Sequence, residues 1–337
     1  MSVRRGLLAL ALLTAVAASP LVPSGAPAGA ATVSTAPSPG CHATTTAVSS
    51  TAPVPFSAAG DSGSYLVEGT AHPSTHPLPL VVDLHGYSET AGIQAVITQL
   101  GAYGTTNGFV TVTPQVDESV QHWITTPGSA DQKFLITLIR HVLATACVDT
   151  HRVFVAGYSN GAFMASALAC SDAGTIAAVA TVAGIETAPG CHPSRRVPVI
   201  AFHGTADPFV PYNGGIGPAA KNLPAVSGSG TIGSNLNAKA DGGIEQNDLP
   251  VPVNLARWAA RNGCGKTPTT TVAATGVTLI AYHCPAGASV ELYRENGDGH
   301  IWPGSAAMRQ IASTVGPTTF AISANQLMWR FFRNHPL

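Results

Sequence analysis

The stretch VFVAGYSNGAFMASALA, residues 153–169, decides the fold. Four apolar strand formers run into Gly157-Tyr158-Ser159-Asn160-Gly161, and helix formers follow at once. Two glycines around a serine mark a bend too sharp for side chains on either flank. A strand that turns sharply into a helix and exposes a serine at the bend is the nucleophile elbow, G-x-S-x-G. The pattern occurs once here, but a chain with 35 glycines can produce it by chance, so its neighbours must decide.

Upstream, PLPLVVDLHG (residues 77–86) is a near-continuous apolar run, as in a strand buried on both faces. GSYLVEG (63–69) alternates and reads as an early edge strand, and GFVTVTPQ (108–115) as the next strand. Phe134, Leu135, Leu138, Ile139 and Val142 share one stripe of a helix over about 130–146. Downstream come the strands AAVATVAG (177–184) and VPVIAFHG (197–204), the helix LARWAARNG (255–263), the strands GVTLIAYHC and SVELYREN, and a closing helix ANQLMWRFFRNH (324–335). Strand and helix alternate over short links. The expected fold is therefore α/β, a mostly parallel central sheet with helices on both faces. Residues 213–250 break the pattern: they are rich in Gly, Ser, Ala and Asn, and read either as a lid or substrate-binding insertion or as a solvated, variable loop.

The chain has 337 residues, 45% hydrophobic and 10% charged, with a net charge of −1. It can bury a large core, and it has no basic field for nucleic acid or anionic lipid. Arg4 and Arg5 precede an apolar run too short to span a membrane, with small residues after it. Residues 1–30 are read as a signal peptide, 31–60 as a disordered Pro/Ala/Ser/Thr-rich leader, and 61–337 as a single catalytic domain. Secretion and a monomer are expected, with no membrane or nucleic-acid partner. In an oxidising compartment the six cysteines read as disulfides. Fifteen pairings are possible. Order along the chain favours Cys264 with Cys284 and Cys170 with Cys191, which leaves Cys41 with Cys147. Cys-His neighbours raise zinc as an alternative, but no C-x-x-C spacing accompanies them, and neither metal nor cofactor is expected.

A serine nucleophile needs a base, and the base needs an orienting carboxylate, in the chain order Ser, Asp or Glu, His. HGTADPFVPY (203–212) puts Asp207 on the loop after a strand, better placed than Asp172, Asp241, Asp248 or Asp298. Beyond it lie His283, His300 and His335. His300, in the glycine-punctuated loop NGDGHIWPG, is the expected base. The Asn160 amide begins the helix after the serine, where the helix dipole favours a developing negative charge. DLHGYSE (83–89) supplies the second oxyanion donor, the Tyr87 amide, with His85 read as a core histidine hydrogen-bonded through both nitrogens. Trp123, Tyr158, Tyr212 and Trp302 are candidates for an aromatic substrate rim, with plain packing the alternative for the two tryptophans.

LHGYSE, RVFVAGYSNGAFMA, VAGI, PVIAFHGTADPFVPYNGG, WAARNGC, YHC and GDGHIWPG together span about 77–337. On these motifs the chain resembles the secreted polyhydroxybutyrate depolymerase/feruloyl esterase family of α/β-hydrolases, which includes LpqC-like and carbohydrate esterase family 1-like proteins. The resemblance implies an α/β-hydrolase fold, a triad of Ser159, Asp207 and His300, and the Cys264–Cys284 pair. It further implies carboxylic-ester hydrolysis of a polyester or, as an alternative, of feruloyl or acetylxylan esters of plant polysaccharide. A non-catalytic secreted binding protein on the same scaffold is the competing class.

Overall fold

The computed structural model describes residues 35–42, 49–50, 52–70, 76–187, 190–227, 229–235 and 249–337. The signal-peptide reading falls on residues outside these. Thr35–Leu337 forms one compact unit. Ten strands make one sheet: β1 (Val54–Ala58), β2 (Asp61–Glu68), β3 (Leu78–Leu84), β4 (Val110–Val116), β5 (Val148–Tyr158), β6 (Ala178–Val182), β7 (Val199–Gly204), β8 (Thr269–Ala274), β9 (Val277–Ala281) and β10 (Val290–Glu295). Their spatial order is β1-β2-β4-β3-β5-β6-β7-β10-β9-β8. The six strands from β4 to β10 in that order are parallel, and the outer pairs on both sides are antiparallel.

Eight helices accompany the sheet among the described residues: α1 (Ala91–Thr98), α2 (Leu100–Asn107), α3 (Ala130–Thr145), α4 (Asn160–Ser171), α5 (Val251–Arg261), α6 (Ala306–Gln310), α7 (Ala312–Val315) and α8 (Ala324–Arg333). Side chains alternate across a strand. Leu80, Val82, Leu84, Val153 and Val155 therefore join one core with Phe134 and Leu138 of α3, Met164 and Leu168 of α4, and Leu255 and Trp258 of α5. Val81, Phe154, Ala156 and Phe202 point the other way, to Ile97, Leu100, Met328 and Phe332 of α1, α2 and α8. Strands with apolar residues on both faces need cover on both sides, and these two helix layers supply it. The rim above the carboxyl ends of the parallel strands is left to the loops, where ligands of such sheets bind.

Two sequence expectations change. The strand at 61–68 is not an edge, because β1 pairs with it from Val54↔Tyr65 to Ala58↔Asp61. Much of the supposed leader is ordered. Cys41 forms a disulfide with Cys147, Ser38 Oγ donates to Ala146 O (2.7 Å), and Ala36 N donates to Asp149 Oδ1 (3.0 Å). These contacts pin residues 35–42 beside the start of β5, which low-complexity composition alone does not signal. The other disulfides are Cys170–Cys191, at the end of α4, and Cys264–Cys284. Of the 213–250 insertion, residues 213–227 and 229–235 are described. Ile216, Leu223, Val226 and Ile232 pack there with Tyr87 and Val120, over the loop that follows β3.

Candidate active site

Strand β5 ends at Tyr158 and α4 begins at Asn160, so one residue makes the whole turn. That residue, Ser159, has φ 56° and ψ −120°, a region that L-residues avoid and that costs of order 1–3 kcal/mol. Packing holds it there. The Ser159 N–H donates to Val182 O on the neighbouring strand at 2.8 Å, and its carbonyl accepts from Ala162 N at 2.9 Å. The two glycines have distinct steric reasons. A Cβ on Gly157 would lie 2.1 Å from Gly161 O, and a Cβ on Gly161 would lie 2.3 Å from Leu84 O and 2.5 Å from His85 O. Bare backbone thus lets the α4 N-terminus touch the end of β3.

Asp207 follows β7 and His300 follows β10, two parallel neighbours. Their loops meet: His300 Nδ1 lies 2.7 Å from Asp207 Oδ2. A carboxylate only accepts, so Nδ1 carries a proton, and in the neutral imidazole Nε2 is then the acceptor. Asp207 Oδ1 accepts from the Phe209 and Val210 amides at 2.8 and 2.9 Å. Burial alone would raise the Asp207 carboxyl. The charge and hydrogen bond of His300, with His203 and the Val210 amide, outweigh it and hold the carboxyl below its ordinary value. The buried His203 ring donates through Nε2 to Val210 O (2.9 Å), and burial lowers its pKa, so it stays neutral under Asp207. Glu295 is fully buried at the end of β10. Burial first, then Asp298 and Asp207, push its carboxyl well above the usual range, so it is a neutral acid.

The His300 imidazole sits between two rings. Tyr158 and Phe209 each have centroids 4.9 Å from it, and the Tyr158 hydroxyl donates to His300 O at 2.8 Å. Since Tyr158 is bonded to Ser159, this contact carries the His300 loop to the serine bend. Burial raises the Tyr158 hydroxyl pKa well above 10, with Glu89 and Asp207 adding to the shift, so it remains a donor.

The expected aromatic rim takes another form. Trp123, Tyr158 and Trp302 are 0%, 2% and 1% exposed, so they pack inside the protein and do not form a surface rim. Each polar handle is used inside: Trp123 Nε1 on His85 O (3.0 Å), the Tyr158 hydroxyl on His300 O, and Trp302 Nε1 on Asn325 Oδ1 (2.8 Å). Tyr212 is partly buried against His203. Phe209, two residues past Asp207, is the partly exposed one of the two aromatics beside the imidazole; only its place in ADPFVPY hints at it. His85 also differs from the expectation. Nδ1 donates to Gly86 O (2.8 Å), while Nε2 is buried with no hydrogen-bond partner, and burial lowers the ring to about 4.

Tyr87 and Asn160 stand on adjacent segments, after β3 and at the start of α4. Asn160 Oδ1 accepts from the Trp123 N–H, and the Tyr87 hydroxyl donates to Pro224 O at 2.7 Å. Among histidines, His335 is bound elsewhere, to Ser289 Oγ at 2.7 Å.

The family model "Esterase PHB depolymerase" matches residues 63–230. Feruloyl esterase B of Piromyces equi is 30% identical over 175 residues, 50% of this chain and 28% of that protein. A Nocardia uniformis subsp. tsuyamanensis protein described as "Putative esterase NocK" is 28% identical over 333 residues, 89% of this chain and 90% of its own. The solved acetyl xylan esterase from Aspergillus awamori superposes with a TM-score of 0.54 at 14% identity, covering 77% of this chain and 98% of its own, which shows a shared α/β-hydrolase fold. On these matches, the chain belongs to the polyhydroxybutyrate depolymerase/feruloyl esterase-like family of α/β-hydrolases.

Proposed function

We propose that this protein is a secreted serine carboxylic-ester hydrolase that works through an acyl-enzyme. The observation that carries the reading is the Asp207–His300 hydrogen bond, together with a serine held in a strained bend next to Tyr158, whose ring packs on the His300 imidazole. Ser159 Oγ attacks the ester carbonyl carbon as His300 Nε2 takes its proton. The carbonyl electron pair moves onto oxygen, and the Tyr87 and Asn160 amides stabilise that oxyanion. Collapse of the intermediate expels the alcohol, which takes the proton from His300. Water, deprotonated by the same ring, then releases the acid and restores Ser159. Asp207 holds the tautomer and stabilises the imidazolium. Three disulfides support an oxidising, extracellular location.

For the substrate, a hydroxyalkanoate polyester or its oligomers is the first reading. It is supported by the family match and by the apolar side chains of the insertion that pack against Tyr87. A feruloyl ester of plant polysaccharide is the second, favoured by the 30% identity to a feruloyl esterase. Hydrolysis of p-nitrophenyl butyrate by wild type and Ser159→Ala tests the mechanism; equal turnover refutes it. Clearing of polyhydroxybutyrate beside hydrolysis of methyl ferulate separates the two substrates.

A further inference from the structure

The His85–Gly86 peptide is held at both ends, and the Gly86–Tyr87 peptide that follows it is held at its carbonyl. In a trans peptide the carbonyl and the N–H point in opposite directions, so whatever holds one aims the other. The Tyr87 N–H shares its peptide with the Gly86 carbonyl. That carbonyl accepts from His85 Nδ1 at 2.8 Å and from the Glu89 N–H at 3.3 Å. In the preceding peptide the Gly86 N–H donates to Glu89 Oε2 at 2.9 Å, and His85 O accepts from Trp123 Nε1 at 3.0 Å. Glu89 therefore holds two successive peptides, one with its carboxyl and one with its amide. Gly86 makes room for this: a Cβ there would lie 2.9 Å from Glu89 Oε2 and 3.1 Å from Tyr158 Cδ1.

We infer that Glu89 is a positioning residue for the ester-hydrolysis reaction, its side chain fixing the peptide that presents the Tyr87 N–H to the oxyanion. The inference rests on the esterase reading above. Glu89 does not touch the reacting atoms; it acts through the Gly86 backbone. It faces His300, Tyr158 and Asp83, and removal from bulk water brings its carboxyl to about 7, with the Gly86 N–H and His300 opposing that rise. A neutral glutamine at this position keeps the acceptor without the charge, whereas alanine removes it.

The test compares Glu89→Ala and Glu89→Gln with wild type, using p-nitrophenyl butyrate turnover and inhibition by a short-chain alkyl trifluoromethyl ketone, whose serine adduct carries an oxyanion. Loss of one aimed donor costs about 10²-fold in kcat. The expected result is a loss in the alanine variant of about 10- to 100-fold in kcat, with KM within about threefold and ketone affinity reduced by a similar factor, while the glutamine variant stays within about fivefold of wild type. Unchanged kcat in the alanine variant overturns the inference. So does a fall in kcat with ketone affinity intact, or a glutamine variant as poor as alanine. If Glu89→Ala does not fold, Glu89→Met, which fills the space without an acceptor, must show the same loss. Absence of ester turnover in wild type would refute the esterase reading instead, a result distinct from any of these.

Discussion

Asn160 holds the backbone of Trp123 with both ends of its side-chain amide. Oδ1 accepts from the Trp123 N–H at 2.6 Å, and Nδ2 donates to Trp123 O at 3.1 Å. The indole of the same tryptophan donates to His85 O and packs, tilted by 33°, with its centroid 4.6 Å from that of the His85 ring. One residue from the loop after β4 thus joins the start of α4 to the loop after β3, the two segments that bear the proposed oxyanion donors.

Trp123→Phe keeps an aromatic ring, smaller than the indole, and deletes the N–H. A buried carbonyl left unpaired costs about 1–3 kcal/mol. The expected outcome is a lowered Tm and a fall in kcat of about tenfold, with KM little changed. Steady-state kinetics with thermal unfolding checks it; a rise in KM at constant kcat would return Trp123 to the role of a substrate contact.

Asp207→Asn preserves the shape of the acid while allowing the wrong imidazole tautomer. Rate should fall by about 10³–10⁴-fold with little loss of folding, as when the orienting carboxylate of a triad is neutralised. The Phe209 and Val210 amides can still be accepted by an amide oxygen. Retention of more than about a tenth of wild-type kcat would exclude Asp207 as the orienting acid.

Legibility in the sequence follows what each residue contributes. The strands β3, β5, β6 and β7 were readable because parallel strands buried on both faces are continuous apolar runs. β8 was not: TTTVAA is almost wholly exposed and is held by backbone pairing with β9. β1 lay hidden in a Pro-rich context, and α1 and α2 in a Gly- and Thr-rich stretch with little apolar periodicity. At the site, motif spacing led to Ser159, Asp207 and His300, and the last two meet at hydrogen-bond distance. The aromatic rim failed because sequence proximity to a motif does not say which way a ring points. Tyr158, the last residue of β5, and Trp302, in the loop of His300, face inward. Glu89 and His203 escaped notice because their roles depend on a turn and a buried contact that no periodicity encodes.

Asp83 should make stability fall as pH rises. It is fully buried on β3, accepts from Gln94 Nε2 (2.7 Å) and Thr98 Oγ1 (2.6 Å), and is raised to about 7, chiefly by burial. A carboxyl whose folded pKa exceeds its unfolded value binds a proton more tightly when folded. It therefore imposes no penalty below about pH 4, a growing one up to about 7, and a constant one above. Asp83→Asn removes that ionisation. Its unfolding free energy relative to wild type should improve between pH 4 and pH 8 by on the order of 1–4 kcal/mol. Urea titrations at the two pH values check the sign, and a difference independent of pH would contradict it.

The Cys41–Cys147 disulfide closes a span of 106 residues. Constraint of so long a loop in the unfolded chain is worth up to about 5 kcal/mol. Replacing both cysteines with serine should lower Tm by several degrees while leaving kcat near wild type, since the bridge lies at the opposite end of β5 from Ser159. Calorimetry with an activity assay tests this; an unchanged Tm would show that the bridge itself adds nothing to the stability of the fold.

The most direct measurement for the proposed reaction is labelling with an alkyl fluorophosphonate, followed by peptide mapping. One phosphonyl group should attach, on Ser159, abolishing ester hydrolysis in step with its incorporation, and His300→Ala should label at least about 10²-fold more slowly. A label on another residue, or full ester turnover with Ser159 phosphonylated, would contradict the account.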